Sequence, residues 1–202
     1  MQRRLFLGGI VALTLAAPTL AKTKPLSLDA ISQYLNSLST AKGAFTQVDP
    51  DGKLSKGMFY IKRPGQMRFE YAAPDYTLVI VRQSRIVIFD QRSNAGPQQY
   101  PSRKTPLHIL LKKNIDLTTS GVITSHLYDG TSTSIVAQNP EYPNYGNMRL
   151  VFRDSPIELR QWIVTDESGQ KTTINLEKLN KEANIPSSLF DIDLITNEND
   201  KR

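Results

Sequence analysis

"GMFYIKRPGQMRFEY", Gly57 to Tyr71, decides how this chain is read. Phe59 and Ile61 alternate with Tyr60 and Lys62, and Arg63 stands next at the same spacing. Beyond Pro64 and Gly65, Met67, Phe69 and Tyr71 again share one face. A period of two marks a half-buried strand, and Pro-Gly between two such runs breaks the first and turns the chain. Two antiparallel strands with a common apolar face follow. Arg63 is the anomaly, because it falls in line with the apolar side chains. It is either a surface residue at a strand end, guarding an edge with Lys62, or a donor at the rim of an apolar space that needs partners there.

Runs of the same kind recur on both sides. Residues 44–49 (AFTQVD) and 56–62 (KGMFYIK) flank the turn Pro50–Lys53. Residues 76–82 (YTLVIVR) and 85–91 (RIVIFDQ) meet around Gln83-Ser84, and 98–101 (QQYP) follow as a short strand. Residues 121–128 and 132–138 flank Asp129-Gly130, a strong hairpin signal. A meander then runs through 147–154, 158–166 and 170–179. In it Met148, Leu150 and Phe152 alternate with Arg149, Val151 and Arg153, so one face is wet. After Pro186, SSLFDIDL is expected to add a last strand.

Two segments read as helices. In 27–43, Ser27 suits the N-cap, Asp29 the first turn, and Leu28, Ile31, Leu35 and Leu38 recur at helical spacing, with Gly43 just past the end. In 105–114, Thr105 suits the cap and Pro106 the first helical position, with Leu107, Leu110 and Leu111 on one side. The expected fold is therefore mainly β, with ten or eleven strands in one strongly curved antiparallel sheet. Short helices with single apolar stripes form a lid over its concave side. With no repeat or linker, residues 22–202 are expected to be one domain.

Residues 1–21, MQRRLFLGGIVALTLAAPTLA, read as a secretory signal peptide cleaved after Ala21; Arg3-Arg4 also resembles a twin-arginine signal. The absence of cysteine removes both disulfides and a thiol for lipid attachment, so a soluble, exported and unanchored monomer is expected. The formal charge is +6, or +4 without Arg3 and Arg4, and the cations are dispersed, unlike a nucleic-acid-binding arm. The only histidines are His108 and His126. No H-E-x-x-H, acidic calcium loop or G-x-S-x-G elbow occurs. No catalytic residue, metal ligand or cofactor is assigned.

In order and spacing the chain resembles the LolA family of periplasmic carriers of outer-membrane lipoproteins. The resemblance rests on Phe45, Thr46 and Gln47; on Gly57, Phe59, Ile61, Lys62, Arg63 and Pro64; on Met67, Phe69, Tyr71 and Pro74; on Thr105-Pro106-Leu107; and on ELRQWIVTDESGQKTTINL followed by IPSSLFDI. It covers about residues 27–194. Arg82-Gln83-Ser84 departs from it, since many members carry Asp-Gly in that turn. The resemblance implies an unclosed β-barrel with a helical lid over an apolar cavity. It implies acylated lipoproteins as cargo, taken from an inner-membrane ABC transporter and handed to an outer-membrane receptor in the periplasm. Phe59, Ile61, Met67, Phe69, Tyr71, Met148, Leu150, Phe152 and Trp162 would line the cavity. Ile31, Leu35, Leu38, Leu107, Leu110 and Leu111 would belong to the lid, and Arg63 with Pro64 would latch it. A lipid- or hydrophobic-ligand-binding sensor on the same fold is the alternative.

Overall fold

The structure, a computed structural model, describes residues 24–93, 96–119 and 121–199. The expected signal peptide, residues 1–21, lies outside the described residues. The strands are β1 (Thr40–Val48), β2 (Leu54–Lys62), β3 (Gln66–Tyr71), β4 (Thr77–Arg82), β5 (Arg85–Asp90), β6 (Gln98–Pro101), β7 (Ile123–Tyr128), β8 (Ser132–Ala137), β9 (Asn147–Asp154), β10 (Ile157–Thr165) and β11 (Lys171–Leu176). They form one antiparallel sheet in the order β6-β5-β4-β3-β2-β1-β11-β10-β9-β8-β7. β6 and β7 are its two free edges, so the barrel does not close.

The register follows from the alternation. Phe59 lies opposite Phe69 and Ile61 opposite Met67, so both strands turn their bulky residues to one face. On the other wing Leu150 faces Trp162 and Met148 faces Val164. β2 and β10 are three strand steps apart, about 14 Å along a flat sheet at ~4.8 Å per step. Yet the rings of Phe59 and Trp162 meet edge-to-face at 5.3 Å. The sheet therefore curls around these residues, and they sit on its concave side.

The lid begins with α1 (Leu28–Ser37), capped by Ser27, whose Oγ accepts the Ala30 N–H at 3.1 Å. It ends earlier than the sequence reading has it, because Thr40 already opens β1. Gly43 is a strand residue, not a helix terminator: a Cβ there would meet Leu179 Cδ2 at 2.8 Å. α2 (Leu107–Leu110) is a single turn and does not reach Asn114. Thr105 does not cap it; its hydroxyl donates to the Ser102 carbonyl at 2.8 Å, and Pro106 precedes the helix. The chain leaves the helical path at Leu111, whose carbonyl accepts the Gly65 N–H of the β2–β3 turn at 2.9 Å.

The last expected strand is absent. Ser187–Phe190 is a 3-10 turn, and α3 (Ile192–Asn199) follows it. The Asp191 carboxylate accepts the Leu194 N–H at 3.1 Å and starts this helix. Phe190, Ile192 and Ile195 pack on Leu78, Ile80, Val87 and Phe89 of β4 and β5, forming a second core on the convex face. Lys62, Arg68 and Arg82 donate to the carbonyls of Ile185, Leu189 and Phe190 at 2.9, 2.6 and 3.2 Å and hold this segment down.

Candidate functional site

The concave face is continuous and apolar. Phe59, Ile61, Met67, Phe69, Met148, Leu150, Phe152 and Trp162 are buried in one cluster with Ile31, Leu35, Leu38, Leu110 and Leu111 of the lid segments. Tyr71 and Leu107 pack against it, partly buried. An aromatic run crosses the floor: Phe45 touches Phe69 and Tyr71 edge-to-face at 5.3 and 5.1 Å, and Phe69 lies 6.0 Å from Trp162. Gly57 makes that run possible, since a Cβ there would lie 2.8 Å from the Phe45 ring and 2.0 Å from the Glu70 carbonyl oxygen.

Side chains fill this space. The void left between sheet and lid has about 20 Å³ and is bounded by Leu35, Leu38, Ile61, Met67, Trp162 and Leu179 among others. One water needs about 10–15 Å³ of such space, so the void takes a water but no acyl chain fits without movement of the lid or the walls. In this state the expected cavity walls pack against the lid as an ordinary core.

Arg63 sits at the rim. Its Nη2 donates to the carbonyls of Leu35 at 2.6 Å and Asn36 at 2.8 Å, and its Nε to that of Leu38 at 3.2 Å. Nη1 donates to the Lys112 carbonyl at 3.2 Å and to Asn36 Oδ1 at 3.4 Å. The acceptors lie at the C-terminal end of α1, where the dipole favours a cation and carbonyls are open to outside donors; that of Leu35 also accepts the Leu38 N–H at 3.1 Å. Desolvation lowers the Arg63 pKa, but a guanidinium stays charged. Pro64 follows within the turn, whose next N–H, on Gly65, donates to Leu111.

Two lid residues were not singled out from the sequence. Asn36 donates through Nδ2 to the Ile115 carbonyl and accepts the Ile115 N–H, both at 2.9 Å. Ser32 Oγ accepts the buried Leu117 N–H at 3.0 Å. Together they fasten α1 to the chain after α2. Their signal was a pair of polar residues four apart, flanking the Ile31–Leu35 stripe. Tyr34 anchors α1 to the sheet: its Oη accepts the Leu159 N–H at 2.9 Å where β10 shifts register. Burial pushes the Tyr34 pKa up.

Several of the dispersed cations are engaged by side chains of the sheet and its turns. Lys53 pairs with Asp75 at 2.5 Å, Arg153 with Glu158 at 3.1 Å, and Arg149 donates to Ser134 Oγ at 3.1 Å. Among the described residues no group of three or more His, Asp or Glu is placed to hold a metal, and no helix is long and apolar enough to cross a membrane.

Residues 36–193 match the family model described as outer membrane lipoprotein carrier protein LolA. The outer-membrane lipoprotein carrier protein of Chromohalobacter salexigens is 21% identical over 192 residues, covering 91% of this chain and 90% of its own length. Its counterpart from Cupriavidus pinatubonensis is 22% identical over 205 residues, covering 94% of each. Among solved structures, a LolA superfamily protein from Nitrosomonas europaea is 9% identical with a TM-score of 0.46, covering 84% of this chain and 99% of its own. The chain therefore belongs to the LolA family of outer membrane lipoprotein carrier proteins, whose members are carriers and not enzymes.

Proposed function

We propose that the concave face binds the acyl chains of lipoproteins and that this chain ferries them through the periplasm. It would take them from an inner-membrane ABC transporter and release them to an outer-membrane receptor. The observation that carries the reading is the Arg63 fork, which holds the end of α1 and the chain after α2 over an otherwise apolar interior. A triacylated protein exposes about three chains, and each methylene brought out of water is worth about 0.8 kcal/mol, so crossing an aqueous space unaided costs tens of kcal/mol. A carrier must lend apolar surface and then take it back.

A packed interior under a lid held by polar bonds meets both needs. When cargo enters, Phe59, Met67, Phe69 and Trp162 exchange lid contacts for hydrocarbon; Met67, with its flexible thioether, tolerates varied partners. When cargo leaves, the Arg63 bonds re-form. Bonds to a charged donor contribute about 1.5–3 kcal/mol each where they are shielded, so two of them shift the open–closed ratio about a hundredfold or more. Residues 1–21 would direct export and be removed, leaving 22–202 as the working domain.

The test is extraction. Inner-membrane vesicles carrying the transporter and a triacylated lipoprotein are mixed with the purified mature chain and ATP. Soluble one-to-one complex of carrier and lipoprotein is the expected product. Lipoprotein that stays in the membrane fraction at every carrier concentration contradicts the reading.

A further inference from the structure

The wall of the void is not equally secure all round. On the α1–α2 side it is tied by the Arg63 fork, the two Asn36–Ile115 bonds, the Ser32–Leu117 bond and the Tyr34–Leu159 bond. Where the wall is formed by the chain after β11, it is closed by Leu179. Within Glu177–Glu182, Leu179 is the one residue not exposed.

The local backbone explains why it turns inward. β1 pairs Phe45 with Leu176, and Lys42 bridges Asn180. Two residues, Gly43 and Ala44, thus oppose three, Glu177, Lys178 and Leu179, so the strand bulges there. Leu179 lies over Gly43, which has no side chain to fill the place. The bulge is held at its ends only, by Glu177 N–H to the Ala44 carbonyl at 3.0 Å and by the Lys42–Asn180 pair at 3.0 and 2.8 Å. Lys181 adds a contact with α1, its Nζ 4.3 Å from the Tyr34 ring and 3.2 Å from Ser37 Oγ.

Outside Leu179 lies an open groove of about 270 Å³, lined on one part by Tyr34, Pro156, Ile157, Leu159 and Leu179 and on the other by the charged residues Glu158, Arg160, Glu177, Lys178 and Lys181. Leu159 and Leu179 line both the groove and the inner void. Buried Leu159, held in β10, and half-buried Leu179, outside the regular strands, therefore stand between an interior too small for a chain and a groove large enough for part of one; of the two, Leu179 is the one free to move.

We propose that Leu179 is a movable plug and that the groove beyond it receives the distal part of a long saturated acyl chain. Displacing Leu179 costs the packing of one side chain and no buried hydrogen bond, whereas displacing the lid breaks the whole polar set. The chain end would lie along Tyr34, Ile157, Leu159 and Leu179, where the aliphatic stems of Arg160 and Lys181 can cover it while their charges, like those of Glu158, Glu177 and Lys178, stay in water. The proposal rests on the acyl-binding reading and adds where the chain ends.

The test uses palmitate and octanoate with the mature chain and its variants, measured by displacement of a fluorescent fatty acid. On this proposal octanoate is too short to reach beyond Leu179, and palmitate is long enough to do so. Leu179→Trp blocks the passage and is expected to weaken palmitate about tenfold, as for about two methylenes denied apolar contact, and to leave octanoate unchanged. Gly43→Ala drives its Cβ against Leu179 and is expected to speed palmitate uptake with the fold intact by circular dichroism. A palmitate with a diazirine at its far end is expected to label the groove residues Tyr34, Ile157 or Leu179. Palmitate binding that Leu179→Trp leaves unchanged, or label confined to Phe59, Met67 and Trp162, overturns the plug while leaving acyl binding standing. A wild-type chain that takes up neither acid overturns the acyl-binding reading and the plug with it.

Discussion

Lys62 and Arg63 are sequence neighbours that fasten opposite covers of one sheet. Lys62 Nζ donates to the Ile185 carbonyl and to Ser187 Oγ, both at 2.9 Å, on the convex side. Arg63 Nη2 donates to the Leu35 carbonyl at 2.6 Å on the concave side. Successive strand residues point to opposite faces, so one strand end serves both the lid and the C-terminal segment. The two bonds differ in what they hold: a helical lid over the candidate site, and a segment covering a separate apolar cluster.

Lys62→Met keeps the stem and removes the donor. It is expected to lower stability by about 1–2 kcal/mol, since the bond is partly exposed, and to leave fatty-acid uptake unchanged. Urea unfolding with a parallel uptake measurement checks both. A Lys62→Met chain with wild-type stability and altered uptake would mean that the two faces are not separate.

Phe69→Glu tests the floor of the concave face. Phe69 is buried between Phe45, Phe59 and Trp162. A carboxylate there has no partner and is expected to destabilise the closed state by several kcal/mol while abolishing binding of hydrocarbon. Phe69→Leu is the milder companion, expected to fold and to bind with a modest loss. Circular dichroism separates unfolding from lost binding. A folded Phe69→Glu chain that still extracts lipoprotein removes this wall from the site.

Asp75 couples stability to pH. Lys53 at 2.5 Å and Ser55 Oγ at 2.7 Å bond its carboxylate, with Arg92 at 3.6 Å, and these hold its pKa below the usual carboxylate range. A carboxyl whose folded pKa is depressed stabilises the fold fully above its unfolded value of about 3.9 and loses that stability as pH falls through the lower folded value. Asp75→Asn is therefore expected to melt below wild type at neutral pH, with the gap closing as pH drops into that acid window. Equal melting temperatures at neutral pH would show that the Lys53–Ser55–Asp75 contacts do not support the fold.

Period-two patterning made most of the sheet legible. Met148-Leu150-Phe152, the Phe59–Phe69 register and the turns at Gln83-Ser84 and Asp129-Gly130 all follow from alternation and turn chemistry. The tail satisfies both periods: in SSLFDIDL Phe190 and Ile192 alternate, while Ile192 and the next residue after that stretch, Ile195, are three apart. What decides is tertiary, namely an apolar convex patch at Leu78, Ile80, Val87 and Phe89 that needs a cover. The shortened α2 has a similar cause, since Leu111 and Lys112 give their carbonyls to Gly65 and Arg63 across the fold. The anomaly of Arg63 is visible in the sequence; its acceptors are not, because all but Asn36 Oδ1 are backbone carbonyls of residues brought near by folding.

The Arg63 fork is proposed to govern opening and release. Arg63→Leu keeps apolar bulk and deletes every donor, while Arg63→Lys keeps the charge but not the planar fork. Each purified chain is loaded with a triacylated lipoprotein, mixed with receptor, and followed as cargo transfers over time. Arg63→Leu is expected to load as well as wild type or better, and to release at least about tenfold more slowly for lack of the bonds that drive closure; Arg63→Lys should fall between. Wild-type transfer rates in Arg63→Leu would contradict a latch and leave Arg63 a structural residue at a strand end.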